Sequence, residues 1–270
     1  MIAATLRGAA LRDRVHVCAA SGHRKRGVDF AATRILPESE RDTAVPDNVI
    51  DVYYDESIPA DGRWDVEHSW PQTFGFPGPI EDCNVPLADA HHLFVANPTA
   101  NGPSGHWDRA FDYCDHNCIP LPADVAPEKQ NRRGRSVDGN DVFEVWRGRR
   151  GDVARALLYM DVRYDGGPTA ADTPRGGGVC HDEPDLQLVA LPPRGGLLVK
   201  GEVRFGQLST AVRWALQDRV DERESRRNDV IARRDMQGNR NPFVDDEGLI
   251  CRVFPIGPCR PAYFPAVFRP

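Results

Sequence analysis

An acid and a histidine stand side by side in "WDVEHSWPQTFGF" (64–76), and a histidine pair and an asparagine follow in "ADAHHLFVANPTAN" (88–101). A neutral imidazole, with an ordinary pKa near 6.5, can take a proton from water near pH 7. Carboxylate and amide oxygens are hard ligands of the kind Mg²⁺ accepts. That ion keeps several of its own waters, so one or two protein oxygens suffice. A base together with a hard cation meets the needs of phosphodiester hydrolysis: one activates water, the other neutralises the scissile phosphate and the departing oxygen. On a strand, Glu67 and His68 point to opposite faces. They can serve one site only where the strand bends or ends. An isolated Glu-His pair is more often a buried, hydrogen-bonded histidine than a catalytic one.

The elements that must position these residues follow from pattern. Residues 61–71, "DGRWDVEHSWP", read as a turn leading into a short strand, stopped by Pro71. Residues 91–97 read as a second short strand, on which His91 and His92 alternate, so at most one of them faces a common site. In "NPTAN" Asn97 is an N-cap and Pro98 a first helical residue. Gly102-Pro103 keeps that helix short, and it delivers the amide of Asn101. "DNVIDVYYD" (47–55) is expected as a strand. Helical spacing runs through 6–19, 151–164, 208–220 and 221–238, the last stopped by Gly238. In 151–164, Val153, Leu157 and Met160 form one apolar stripe. Residues 115–141 read as irregular and charged, 165–185 as loop, 239–248 as turns, and the tail from Gly248 as extended chain. Helices and strands do not alternate regularly. The expected fold is therefore α+β, a mainly helical body with a short antiparallel β element, rather than a doubly wound sheet. One domain over 1–270 is expected, with 1–10 and 249–270 peripheral.

Composition narrows the options. The 270 residues include 34 basic and 40 acidic ones, for a formal charge of −6. The whole chain thus lacks the basic footprint of many nucleic-acid binders. Positive charge is local and almost all arginine, in "NRRGRS" (131–136), "WRGRRG" (146–151) and "RESRRNDVIARR" (223–234); the lysines are Lys25, Lys129 and Lys200. Arginine's planar fork suits phosphate oxygens. No apolar run approaches the roughly 18 to 20 residues that cross a bilayer. A leader-like apolar core is interrupted at Arg7, Arg12, Asp13 and Arg14. None of the seven cysteines has zinc-ribbon spacing. Cys114/Cys118 and Cys251/Cys259 are near enough to pair. Two or three disulfides with one leftover thiol would suit an oxidising compartment, and buried free thiols are the alternative.

Several segments together resemble the bacterial endonuclease I family, with its E-H-x-W-P, D-L-H-H-L-F-P and following Asn. "SGHRKRGVDFAATRIL" (21–36), "RGDVARALLYMDVRY" (150–164) and "RRNDVIARRDMQGNRNPFVDDE" (226–247) extend the similarity over most of residues 11–247. The resemblance implies a ββα-metal (His-Me finger) nuclease, with His68 as general base and Glu67 and Asn101 as ligands of Mg²⁺ or another divalent cation such as Mn²⁺ or Ca²⁺. It implies a secreted or periplasmic enzyme cutting DNA, and often RNA, with little sequence preference and leaving a 5′-phosphate. Arg226, Arg227 and Arg109 are the candidate nucleic-acid contacts, and a monomer without membrane contact is expected. Where the family has N-x-x-R-x-N, this chain reads "NGPSGHWDR", so His106 or Arg109 stands in for the arginine. Asp65 replaces an Asn, and Ala90 a Leu.

Other residues have quieter readings. Asp89 either orients His91 or caps a turn, the turn being favoured. Arg226 and Arg227 bind phosphate or join Asn228 in pinning "GNRNPF" to the body. Trp70 is expected to pack, Trp107 to pack or to stack on a base, and His23 to be structural. The rival enzyme is a zinc hydrolase using His68, His91 and His92, although adjacent histidines cannot easily ligate together and no H-E-x-x-H helix is present. The rival outside enzymology is an inactive nucleic-acid-binding or structural domain of the same fold.

Overall fold

The computed structural model describes residues 6–76, 85–165, 184–190 and 203–260. The chain opens with α1 (Ala9–Ala20). Helices α2 (Val28–Phe30) and α3 (Leu36–Ser39) are joined without a break by a π-type turn, Ala31–Ile35. A hairpin of β1 (Asn48–Ile50) and β2 (Ser57–Pro59) follows, then β3 (Asp65–His68), β4 (Leu93–Ala96) and α4 (Pro98–Asn101). A four-stranded sheet comes next, ordered β5 (Ala110–Phe111), β8 (Asp141–Glu144), β7 (Asn131–Arg135), β6 (His116–Leu121). After α5 (Arg150–Arg163), a parallel pair of β9 (Gln187–Val189) and β10 (Arg204–Gly206) leads to α6 (Leu208–Gln217), α7 (Glu222–Ile231), α8 (Pro242–Asp245) and α9 (Gly248–Val253). Small sheets around helices make an α+β fold.

The body is organised around α5. Its sequence suggests one apolar stripe, yet every residue from Gly151 to Arg163 is buried. Its polar positions are tolerated because each finds a partner. Arg155 forks onto Glu224 of α7 and donates to the Ala215 and Asp218 carbonyls at 3.0 and 2.7 Å. Arg149, just before the helix, donates to Asp152. Buried charge is retained where it is paired and hydrogen-bonded. The large apolar cluster around α5 includes Phe94, Phe111, Phe143, Phe205 and Trp214. A second cluster joins Ile35, Leu36, Val49, Val230 and Ile231.

β4 divides the two clusters. Phe94 and Ala96 face the first, Leu93 and Val95 the second, so the strand is buried on both sides. Its antiparallel partner β3 takes the same division through register. Glu67 lies opposite Phe94 and so faces the first cluster; His68, at the strand's end, lies opposite Leu93.

The structure corrects several boundaries. Residues 115–141 form the β6–β7 hairpin rather than irregular chain. The strand expected over 47–55 ends at Ile50. His91 and His92 sit in a 3₁₀ turn, Ala90–His92, ahead of β4. α7 stops at Ile231, and Gln237 and Gly238 fold back to donate to its carbonyl. The tail forms α9 instead of extended chain, and Leu249, Ile250 and Val253 enter the main cluster rather than lying at the periphery. Disulfides join Cys114 to Cys118 and Cys251 to Cys259; Cys18 is free and exposed. Cys83, Cys180 and nearly all of the expected 165–185 loop lie outside the described residues.

Candidate active site

The site is built where β3 ends and α4 begins. Asn97 caps α4 by accepting from the Thr99 N–H at 2.9 Å, with Pro98 in the first helical position. The Asp51 carboxylate accepts from the Asn97 and Tyr54 N–H groups, and burial pushes that carboxyl up to about 7. One turn later α4 stops at Asn101, packed against β3. Chain order and packing thus give two antiparallel strands followed by a short helix, with Glu67, His68 and Asn101 at their junction.

Glu67 is 1 % exposed. Its Oε1 accepts from the Tyr53 hydroxyl at 2.7 Å, and Nδ1 of His106 lies 2.7 Å from the same oxygen. Oε2 has no hydrogen-bond partner among the described residues. The Asn101 side chain, half-buried, has none either. Two hard oxygen donors left unspent, on a strand and a helix that pack together, fit a hard divalent cation that brings its own waters. They do not fit zinc. Nε2 of His91 lies 3.1 Å from the Asn239 carbonyl oxygen, and Nε2 of His92 lies 2.8 Å from that of Pro86. Among the described residues no three His, Cys, Asp or Glu side chains gather as a metal would require.

His68 is nearly buried. Its Nδ1 lies 3.1 Å from the Gln72 side-chain amide, and its ring meets that of His92 edge-on at 5.5 Å. Burial, then the neighbouring His92, pushes its pKa down to about 3. The ring is therefore neutral at pH 7.

The sequence did not single out Tyr53 as a partner of Glu67, and it offered His106 only as a stand-in for an arginine. The loop after α4 explains His106. Gly105 approaches the Ala100 carbonyl so closely that a Cβ would stand 1.8 Å from it, so only glycine fits. The His106 N–H then donates to that carbonyl at 2.7 Å, and its ring stacks on Phe111 at 4.1 Å. Arg109 braces the same loop. It donates to the Gly105 carbonyl at 2.6 Å, pairs with Asp141 at 3.2 Å, and its own carbonyl oxygen lies 2.9 Å from Nε2 of His106.

The other candidates are distributed differently. Arg227 is buried, donating to Glu40 at 2.6 Å and to the Ala90 and Leu93 carbonyls at 2.5 and 2.6 Å, over the Phe94 ring. It holds β4 in place, which corrects the expectation of a phosphate contact. Arg226 is half-buried and donates to the Arg41 carbonyl at 3.0 Å. Asn228 accepts from the Asn241 N–H at 2.8 Å, the pinning role expected of it. Asp89 is structural: it accepts from the His91 N–H, Gln237, Tyr159 and Tyr164. Trp70 is buried and donates to the Phe74 carbonyl at 2.8 Å, whereas Trp107 is 54 % exposed.

Residues 32–173 and 204–247 match the family model described as Endonuclease I. The chain belongs to the endonuclease I family. It is an enzyme that hydrolyses nucleic acid. Among curated proteins it is similar to the extracellular ribonuclease of Bacillus amyloliquefaciens, 34 % identical over 88 % of this chain and 71 % of that one. It is also similar to the extracellular ribonuclease of Bacillus subtilis (strain 168), 31 % identical over 82 % of this chain and 66 % of that one. No solved structure matches it. Among the described residues no helix is long and apolar enough to cross a membrane.

Proposed function

We propose that this member of the endonuclease I family is a secreted, Mg²⁺-dependent endonuclease. It hydrolyses phosphodiester bonds of RNA and DNA with little sequence preference and leaves a 5′-phosphate. The observation that carries this reading is the junction of β3, β4 and α4, read as a ββα-metal motif. There a neutral imidazole stands at the end of the strand that also bears a buried carboxylate, and a free amide lies on the adjoining helix. Both matched relatives are named extracellular ribonucleases, and two disulfides join described cysteines. These facts support RNA as a substrate and an oxidising destination.

Glu67 and Asn101 would hold the cation. When bound, it neutralises charge on the scissile phosphate and on the leaving 3′ oxygen. His68 takes the proton from the attacking water. Contacts to the sugar–phosphate backbone carry no base information, so cleavage follows the backbone rather than the sequence.

The test is cleavage of supercoiled plasmid and of a single-stranded RNA, with Mg²⁺ and with EDTA. Cutting is expected with Mg²⁺ alone. His68→Ala should lower the initial rate by about 10²- to 10⁴-fold, the range for loss of a general base, with an unchanged melting temperature. Wild-type protein that shifts nucleic acid on a gel yet never cuts it would favour an inactive binding domain instead.

A further inference from the structure

The loop over residues 102–109 reaches Glu67 and the turn that carries Asn101 through one residue, His106. The His106 main chain fixes the last turn of α4 by donating to Ala100, the neighbour of Asn101. Its ring lies 2.7 Å from Glu67 Oε1 through Nδ1 and 2.9 Å from the Arg109 carbonyl oxygen through Nε2. The ring is 1 % exposed and stacked on Phe111 with its plane tilted by only 15°. Both partners of the ring are acceptors. Glu67 consequently has one oxygen fixed by His106 and Tyr53, and the other turned away from them.

We propose that His106 is the positioning residue of the cation site: it fixes the rotamer of Glu67, presenting Oε2, and couples that carboxylate to the turn that presents Asn101. The assignment rests on Glu67 and Asn101 being the cation's ligands. Groups that orient a ligand commonly change metal affinity by about 10- to 100-fold when lost. The loop thus places a glycine-supported histidine directed inward at the carboxylate.

Mn²⁺ binding is measured by calorimetry on the full chain without nucleic acid, for wild type, His106→Ala, His106→Asn and Glu67→Gln. Asn keeps an N–H near the position of Nδ1. His106→Ala should weaken Mn²⁺ by tenfold or more, His106→Asn should recover part of that loss, and circular dichroism should be unchanged. Cleavage at saturating Mn²⁺ should recover further than cleavage at limiting Mn²⁺. Folded His106→Ala with wild-type affinity overturns the proposal. If His106→Ala fails to fold, the imidazole ¹⁵N signals of wild-type His106 decide: they should shift on adding Mg²⁺ with the half-saturation of metal binding, and an unmoved signal overturns the proposal. A wild type that binds no Mn²⁺, or a Glu67→Gln variant that binds it normally, would instead remove the metal assignment beneath it.

Discussion

Trp107 follows His106 directly, and the two side chains have opposite fates, one nearly sealed and the other more than half exposed. The backbone at Trp107 is left-handed, φ 45°. A large residue holds that conformation only where its surroundings impose it, and here bonds from His106 and Arg109 fix both sides. The outcome is an indole presented to solvent one residue from the carboxylate's brace. Stacking of a base on an aromatic ring contributes roughly 1 to 3 kcal/mol, and 1.4 kcal/mol is tenfold. Trp107→Ala should therefore raise KM for single-stranded RNA about tenfold with little change in kcat. A duplex, whose bases are already stacked, should be affected less. Steady-state kinetics on both substrates checks this. At this scale the sequence singled out Glu67, His68 and Asn101 as candidates, because they lie in two short contiguous motifs. It could not assign Tyr53, which meets Glu67 only in the fold, where Asn131 of β7, from a distant part of the chain, donates to its carbonyl.

Among the elements, β4 and the histidine turn before it depend on a single arginine of α7. Arg227 satisfies carbonyls at both ends of that turn and neutralises Glu40. Removing one partner of a buried pair costs about 3 to 5 kcal/mol, because the other charge stays behind uncompensated. Arg227→Ala should lower the unfolding free energy by that order in urea titrations. Arg226→Ala, one position earlier and half-buried, should change it by less than about 0.5 kcal/mol. Should Arg226 touch phosphate, its loss would reduce the salt slope of binding by about one. Helices α1, α5 and α6 were legible from apolar spacing. The β6–β7 hairpin was not: its side chains are mostly exposed or half-buried, so no apolar alternation marks it, and a disulfide ties its entry. The burial of α5 on all sides was also hidden, since its arginines and aspartates look like a solvent face until their partners arrive from α6 and α7.

For the molecule as a whole, buried histidines set the response to acid. Burial pushes His91 and His92 each down to about 4. A histidine depressed in the folded state, but ordinary near 6.5 when unfolded, contributes stability that is present above 6.5 and lost as pH falls towards 4. Asp51 and Asp161, pushed up by burial to about 7 and about 6, act in the opposite sense. The difference between wild type and His91→Gln isolates the histidine. Between pH 6.5 and 4 the variant's unfolding free energy should decline less steeply, as read from urea titrations at half-unit steps. The α+β class was legible from the irregular order of helices and strands. The two-cluster interior was not, because β4 reads in sequence as one continuous apolar run.

The two ends of the described chain meet. Gly8 donates to Arg252, Arg24 to Gln237, and Asn239 to Ala19, while Arg227 and Asn239 reach the histidine turn beside the site. During synthesis, a ribosome-bound chain carrying Glu67, His68 and Asn101 still lacks the late residues that clamp β4. The clamp on β4 and its histidine turn is therefore complete only after residue 239 has left the exit tunnel.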